Sequence, residues 1–219
     1  MPRRGLRPPP TVVPLRHRAW LVASVAALNG AIYLWINQHP TRAPRTLPLT
    51  MVDTALGWHA WTIWPYWLLL LLAPAFALAI RERWLLVATL RAYAAAISLN
   101  VAVWLTWPTT LPRGALPQDG GALTDAAWRA LHAIDASTNC FPSGHITLPV
   151  VIGAGFCMQH PRLAPWAVAT VVVLAPSVVT TGQHYAADVL GGVATALFGL
   201  AVTRHPAMPA LSRMWPRPG

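Results

Sequence analysis

The chain has 219 residues, of which 55% are hydrophobic and only 10% charged, too little charged surface for a soluble domain of this length. Its sixteen basic residues are all arginine, against six acids, giving a formal net charge of +10. Arg3, Arg4, Arg7, Arg16 and Arg18 crowd ahead of the first apolar run, which argues against a nucleic-acid surface and for the cytoplasmic flank of a polytopic membrane protein.

In chain order, residues 1–18 form a basic, Pro-rich tail expected to be disordered. Apolar spans follow at about 19–36, 62–80, 84–105, 146–160, 163–181 and 185–203. The expected fold class is therefore all-α, a six-transmembrane-helix bundle over 19–203 with a C-terminal tail, 204–219. The first span is too long for the apolar core of a secretory signal and has no small-residue cleavage pattern after it, so it is expected to stay as a helix. Six crossings leave twelve arginines on the side of the termini and four (Arg42, Arg45, Arg113, Arg129) on the other. That bias puts the termini in the cytoplasm and the loops after spans one, three and five outside or in the periplasm, in a bacterial inner membrane.

Trp58, Trp61, Trp64, Tyr66 and Trp67 at the second span, with Trp104 and Trp107 at the end of the third, read as interfacial anchors rather than as a choline-type cage. Arg91 lies close enough to the cytoplasmic end of its span to snorkel. Between Trp107 and Cys140, residues 124–134 are expected to form a short surface helix capped by Thr124, with Arg129 and His132 in solvent. Gly153, Gly155 and Cys157 in the fourth span and Gly191, Gly192, Ala196 and Gly199 in the sixth predict that these two helices pack closely. Pro165 and Pro176 are expected to bend the fifth. Cys140 and Cys157 stand too far apart, one at the mouth and one deep in the fourth span, for a disulfide.

Two clusters carry chemistry. Asn139-Cys140-Phe141-Pro142-Ser143-Gly144-His145 puts a turn, a hydroxyl and an imidazole at the start of the fourth span, where Ser143 can cap the helix and the N–H groups of its first turn suit an anion. Gln183-His184-Tyr185-Ala186-Ala187-Asp188 begins the sixth, with His184 and Asp188 at i, i+4 on one helix face. One helical hairpin separates them, so both reach the same side of the membrane. Either histidine alone is more ordinarily an interfacial residue satisfied by backbone; Asp188 could merely cap its helix, though a carboxylate one turn past a histidine favours pairing, and Arg113 reads equally as a solvated or headgroup-binding arginine and as a catalytic one. Jointly, two imidazoles, a carboxylate, a helix N-terminus and an arginine suit phosphoryl transfer without metal or cofactor. A metal site fits the Ser-Gly context less well.

On these residues the chain resembles the type 2 phosphatidic acid phosphatase superfamily, which also includes vanadium haloperoxidases, sphingomyelin synthases and inositol phosphorylceramide synthases. The resemblance covers about residues 85–203 and rests on Pro142-Ser143-Gly144-His145 followed by His184-x-x-x-Asp188. It implies that His184 is a nucleophile forming a phosphohistidine, Asp188 its partner, His145 the general acid, and Ser143 and Gly144 phosphate binders. Two departures stand out. The family's Ser-Arg ahead of the nucleophilic His is Ser177-Val178 here, and its lysine-containing first motif is replaced by Trp107-Pro108-Thr109-Thr110-Leu111-Pro112-Arg113, leaving Arg113 as the best match to that motif's arginine. The implied function is a membrane lipid phosphatase acting on a phosphatidate-like or polyprenyl-diphosphate-like lipid. The alternatives are a lipid phosphotransferase acting on an alcohol, like the inositol phosphorylceramide synthases, and a non-catalytic lipid-binding membrane protein.

Overall fold

A computed structural model describes residues 11–114, 116 and 120–208. It is a bundle of α1 (Leu15–Gln38), α3 (Ile63–Ala79), α4 (Arg83–Thr106), α6 (Gly144–Gln159), α7 (Ala164–Leu174) and α9 (Ala186–Val202). Three further helices, α2 (Met51–Leu56), α5 (Ala122–Ile134) and α8 (Ser177–Thr180), lie in the connections. A parallel pair of two-residue strands, β1 (Arg45–Thr46) and β2 (Thr109–Thr110), ties two of those connections together. Each apolar segment expected from the sequence is thus helical. By length and composition three helices suffice to cross a membrane: α1, α4, and α3 with the 3-10 turn that precedes it. The others are shorter, 16 residues in α6 and 17 in α9, and the fifth segment is broken between α7 and α8. Pro176 sits at that break, whereas Pro165 occupies the first turn of α7, where a missing N–H costs nothing, and starts the helix instead of bending it.

The centre of the bundle is α6, packed against α3, α4 and α9, while α4 and α9 also pack on each other. Small residues make these approaches possible, though not only between the fourth and sixth spans as expected. A Cβ at Gly192 would lie 2.5 Å from the Ser143 carbonyl oxygen of α6's first turn, but one at Gly199 would meet Ala92 of α4 and one at Gly155 would meet Thr89 of α4. A buried amide and two hydroxyls lock the same three helices: Asn100 Nδ2 donates to Thr147 Oγ1 (3.0 Å), which in turn contacts Thr195 Oγ1 (2.9 Å). Gly192→Ala should therefore destabilise the protein by about 1–3 kcal/mol through overpacking. Thermal unfolding in detergent would measure it, and an unchanged midpoint would show that the two helices separate freely.

The two ends of the bundle differ. At one end, Val12 bridges Glu82, Gln159 accepts from the N–H groups of Arg81 and Glu82, and Arg18 donates to the carbonyls of Val13 and Leu78. Residues 11–14 are therefore paired backbone, a correction to the expected disordered tail; residues 1–10 of that tail and 209–219 of the C-terminal one lie outside the described residues. Arg91, in the half of α4 nearer that end, is exposed, as a snorkelling side chain would be. The opposite end gathers the β1–β2 pair, α2, α5, the start of α6 and the α8–α9 turn. Asn37, closing α1, reads the backbone of residues 136 and 138 through its amide and accepts from the Ala136 N–H at 2.7 Å. Residues 136–138, just ahead of α6, are thereby tied to the end of α1.

Candidate active site

Both sequence clusters sit in this second end, each shaped by its own backbone. Asn139 adopts a left-handed conformation (φ 60°), Phe141 N donates to Thr109 Oγ1 (2.7 Å), the Phe141–Pro142 peptide is cis, and Trp104 Nε1 donates to the Pro142 carbonyl. α6 begins directly afterwards at Gly144. In the other cluster Gly182 turns the chain with φ 64°, and the Val178 carbonyl accepts from both Gln183 and His184 N–H groups. Asp188 Oδ2 then accepts from Tyr185 N (2.8 Å), capping α9. A backbone bond from Ser143 N to the Asp188 carbonyl (3.0 Å) staples the clusters together.

The two imidazoles meet. His145 Nδ1 lies 2.8 Å from His184 Nε2. On its other side His184 Nδ1 faces two acceptors, the Cys140 carbonyl at 2.8 Å and Asp188 Oδ2 at 3.2 Å. A carbonyl cannot donate, so Nδ1 carries the proton and the lone pair of the neutral ring is on Nε2, facing His145. His184 is 4% exposed and Asp188 fully buried. A buried imidazole with its far nitrogen on a carboxylate is the arrangement that orients a nucleophile and stabilises positive charge on it.

Ser143 stands at the N-cap position, yet its hydroxyl makes no capping bond: Oγ is buried without a partner, and the Ser143 carbonyl instead accepts from Ile146 and Thr147 N–H. The expected capping role is thus corrected, and the hydroxyl keeps its hydrogen-bonding capacity unused. Gly144 is close to Trp104, where a Cβ would be 3.4 Å from the indole. Arg113 and His184 line one open cavity of about 450 Å³, walled also by Trp58, Trp128, Asp53 and His132. Arg113 is not a free cation. Its guanidinium donates to the Asp135 carbonyl and carboxylate, to the Ala136 carbonyl and to Gln183 Oε1. Burial pushes the Asp135 carboxyl above the usual range against the opposing pull of Tyr33 and Arg113. Arg113→Ala should therefore cost on the order of 3 kcal/mol of stability. Asp135→Asn in that background should restore part of it, measured as a double-mutant cycle on the unfolding midpoint.

Two further expectations change. His132 is half-buried, edge-on to Trp128 (5.7 Å), and burial followed by the charge of Arg113 lowers its pKa; Arg129 on the same helix is exposed as expected. That helix, α5, begins at Ala122 with Gly121 at its N-cap, not at Thr124. Val178, where the family carries an arginine, is fully buried in an apolar cluster with Ile63, Leu69 and Trp128. A guanidinium has no place there without burying an unpaired charge.

Three groups at the site were not singled out from the sequence. Tyr66 is no interfacial anchor: it is 1% exposed and its hydroxyl lies 3.1 Å from His145 Nε2. Helical spacing held the signal, because Ile63, Tyr66, Leu69, Ala73 and Phe76 form the buried stripe of α3, while Trp61 and Trp64 fall off it and stay exposed. Asp135 had no local signal, and the Thr50-x-x-Asp53 spacing announced only a helix cap. Asp53 caps α2 with Thr50 and reaches across to the Ala186 N–H at 2.7 Å, steadying the start of α9. Burial raises its pKa, but hydrogen bonds from the Thr50 hydroxyl and the Ala186 N–H outweigh it and hold the carboxyl below the usual range.

The family model of the PAP2 superfamily matches residues 57–202, two thirds of the chain and further toward the N-terminus than the motifs alone reach. No curated protein and no solved structure is significantly similar.

Proposed function

The chain belongs to the PAP2 superfamily, and from that premise we propose that it transfers a phosphoryl group from a membrane lipid through a phosphohistidine on His184. Phosphatase-type phosphoryl transfer is the coarse activity of the superfamily; the lipid and the mechanism are our reading. The observation that carries it is the lone pair of His184 Nε2, fixed by the Cys140 carbonyl and Asp188 and aimed at His145 Nδ1.

In this reading phosphorus enters between the two imidazoles. His184 Nε2 forms the P–N bond as the bond to the lipid oxygen breaks, and protonated His145 gives its Nδ1 proton to that departing oxygen. Asp188 stabilises the positive charge gathering on His184. The N–H groups of Gly144 and His145, in the first turn of α6 where helical N–H groups lack acceptors within the helix, together with Ser143 Oγ and Arg113, bind the phosphoryl oxygens. Water then attacks phosphorus and returns a proton to His145, so neither metal nor cofactor takes part. The lipid is phosphatidate-like or polyprenyl-diphosphate-like, and the partners are that lipid and the bilayer, not nucleic acid.

A second reading has its own support. The chain has no lysine and carries Val178 in place of an arginine, and the cavity at His184 is far larger than a water needs, which suits an alcohol acceptor and a phosphotransferase. Purified protein with phosphatidate or a polyprenyl diphosphate, with and without an added polyol, separates the two: free phosphate marks the phosphatase, a new phospholipid or phospho-alcohol the transferase. Lipid binding with no turnover of either kind would leave a non-catalytic lipid-binding protein.

We further propose that all six apolar helices cross a bacterial inner membrane with the site facing the periplasm, on the strength of the arginine bias. Cysteines placed at exposed Arg129 and Arg162 should differ in labelling by an impermeant reagent in intact cells, position 129 reacting and position 162 not. The reverse pattern would invert the topology.

A further inference from the structure

The structure assigns to Tyr66 the task of holding the acid imidazole in register through both of its charge states, a positioning role that rests on the reading of His145 as general acid. The order of hydrogen bonds leads there. His184 Nδ1–H faces the Cys140 carbonyl, so His184 Nε2 is the acceptor and the nitrogen facing it, His145 Nδ1, is the donor. With the proton of neutral His145 on Nδ1, its Nε2 bears a lone pair, and among the described residues the one hydrogen-bond partner of that nitrogen is the Tyr66 hydroxyl at 3.1 Å, which must donate. The chain of donors runs from Tyr66 through His145 to His184 and ends on a backbone carbonyl. Tyr66 thereby selects the tautomer that aims a proton at the reaction centre.

Catalysis demands the opposite of the same hydroxyl. Protonated His145 carries hydrogens on both nitrogens, and the Nε2–H, held against the Tyr66 hydroxyl, needs an acceptor there. A hydroxyl is both donor and acceptor and can rotate to accept. In the first half-reaction the Nδ1 proton leaves with the lipid oxygen as the P–N bond forms, and His145 is left neutral with its remaining proton on Nε2, against the Tyr66 oxygen. In the second, water loses a proton to Nδ1 as its oxygen bonds phosphorus and the P–N bond breaks. Tyr66 keeps its own proton throughout. It is no proton exit either: it is 1% exposed, and among the described residues its hydroxyl bonds only His145. Nor can Tyr33 replace it. The Tyr33 ring lies edge-on to His145 at 6.2 Å, but its hydroxyl donates to Asp135 at 2.8 Å.

Tyr66→Phe keeps the ring, whose centroid is 5.2 Å from that of His145, and removes only the partner of Nε2. Removing the hydroxyl that holds the Nε2–H of the acid should lower kcat on alkyl phosphates by on the order of tenfold to a hundredfold. An aryl phosphate, whose departure needs little protonation, should change by less than about threefold. A loosened fold would slow both substrates alike, so an equal loss on both, or no loss on either, would overturn the assignment. A fluorinated tyrosine incorporated at position 66 keeps the volume and weakens the acceptor, and it should reproduce the selective loss even if the phenylalanine variant unfolds. His145→Ala, run in parallel, separates the two claims. A steep leaving-group dependence there with a flat response at Tyr66 would reject the role of Tyr66 alone, whereas a flat response at His145 would reject the acid and Tyr66 together.

Discussion

His184→Ala should abolish turnover of every phosphate substrate, whatever its leaving group. The reason is geometric as much as chemical. His184 Nε2 is the one imidazole nitrogen of the pair whose lone pair is set toward the other ring by groups behind it, the Cys140 carbonyl and Asp188 Oδ2. Without it no P–N bond forms, and direct attack by water would need a base placed on the far side of phosphorus. By analogy with nucleophile removal elsewhere, the loss should be on the order of 10⁴-fold or more. The fold should survive, because Asp188 still caps α9 through Tyr185 N and the Ser143 N–H still reaches the Asp188 carbonyl. Phosphate release from an alkyl and an aryl substrate checks this. Retained activity on the aryl substrate alone would mean that another group attacks phosphorus.

Asp188→Asn should be severe but smaller. Loss of the carboxylate partner of a catalytic histidine costs about 10⁴-fold where the carboxylate alone sets the tautomer. Here the Cys140 carbonyl, at 2.8 Å the closer of the two acceptors, also holds the Nδ1 proton. The variant should therefore keep the tautomer and lose mainly the stabilisation of positive charge on His184, a fall in kcat nearer 10²-fold, with KM little changed. A fall of the full 10⁴-fold would show that the carbonyl does not set the tautomer. Unchanged kcat would make Asp188 a helix cap and nothing more.

Much of the bundle was legible because its information is local. Apolar length gave the six helices to within a few residues, and Pro142-Ser143-Gly144-His145 with His184-x-x-x-Asp188 marked two helix starts that a single hairpin returns to one end. What was not legible depends on pairings between distant segments. Asn37 fixes residues 136 and 138 from about a hundred residues away, and Arg113 pairs with Asp135 and donates to Gln183. No spacing rule announces such contacts. Tyr66 is an intermediate case, its helical register visible but masked by the tryptophans around it. Val178 shows a further limit: motif comparison noted the missing arginine, and only the packing around that position revealed that the surroundings had become apolar.

The account turns on a covalent bond between phosphorus and His184. Brief incubation with a ³²P-labelled lipid phosphate, rapid denaturation in alkali and peptide mapping should recover label on the peptide containing His184. That label should be acid-labile and alkali-stable, absent from His184→Ala, and chased by water or by the alcohol acceptor before quenching. Turnover with no trapped label at any quench time, or label that persists in His184→Ala, would contradict it.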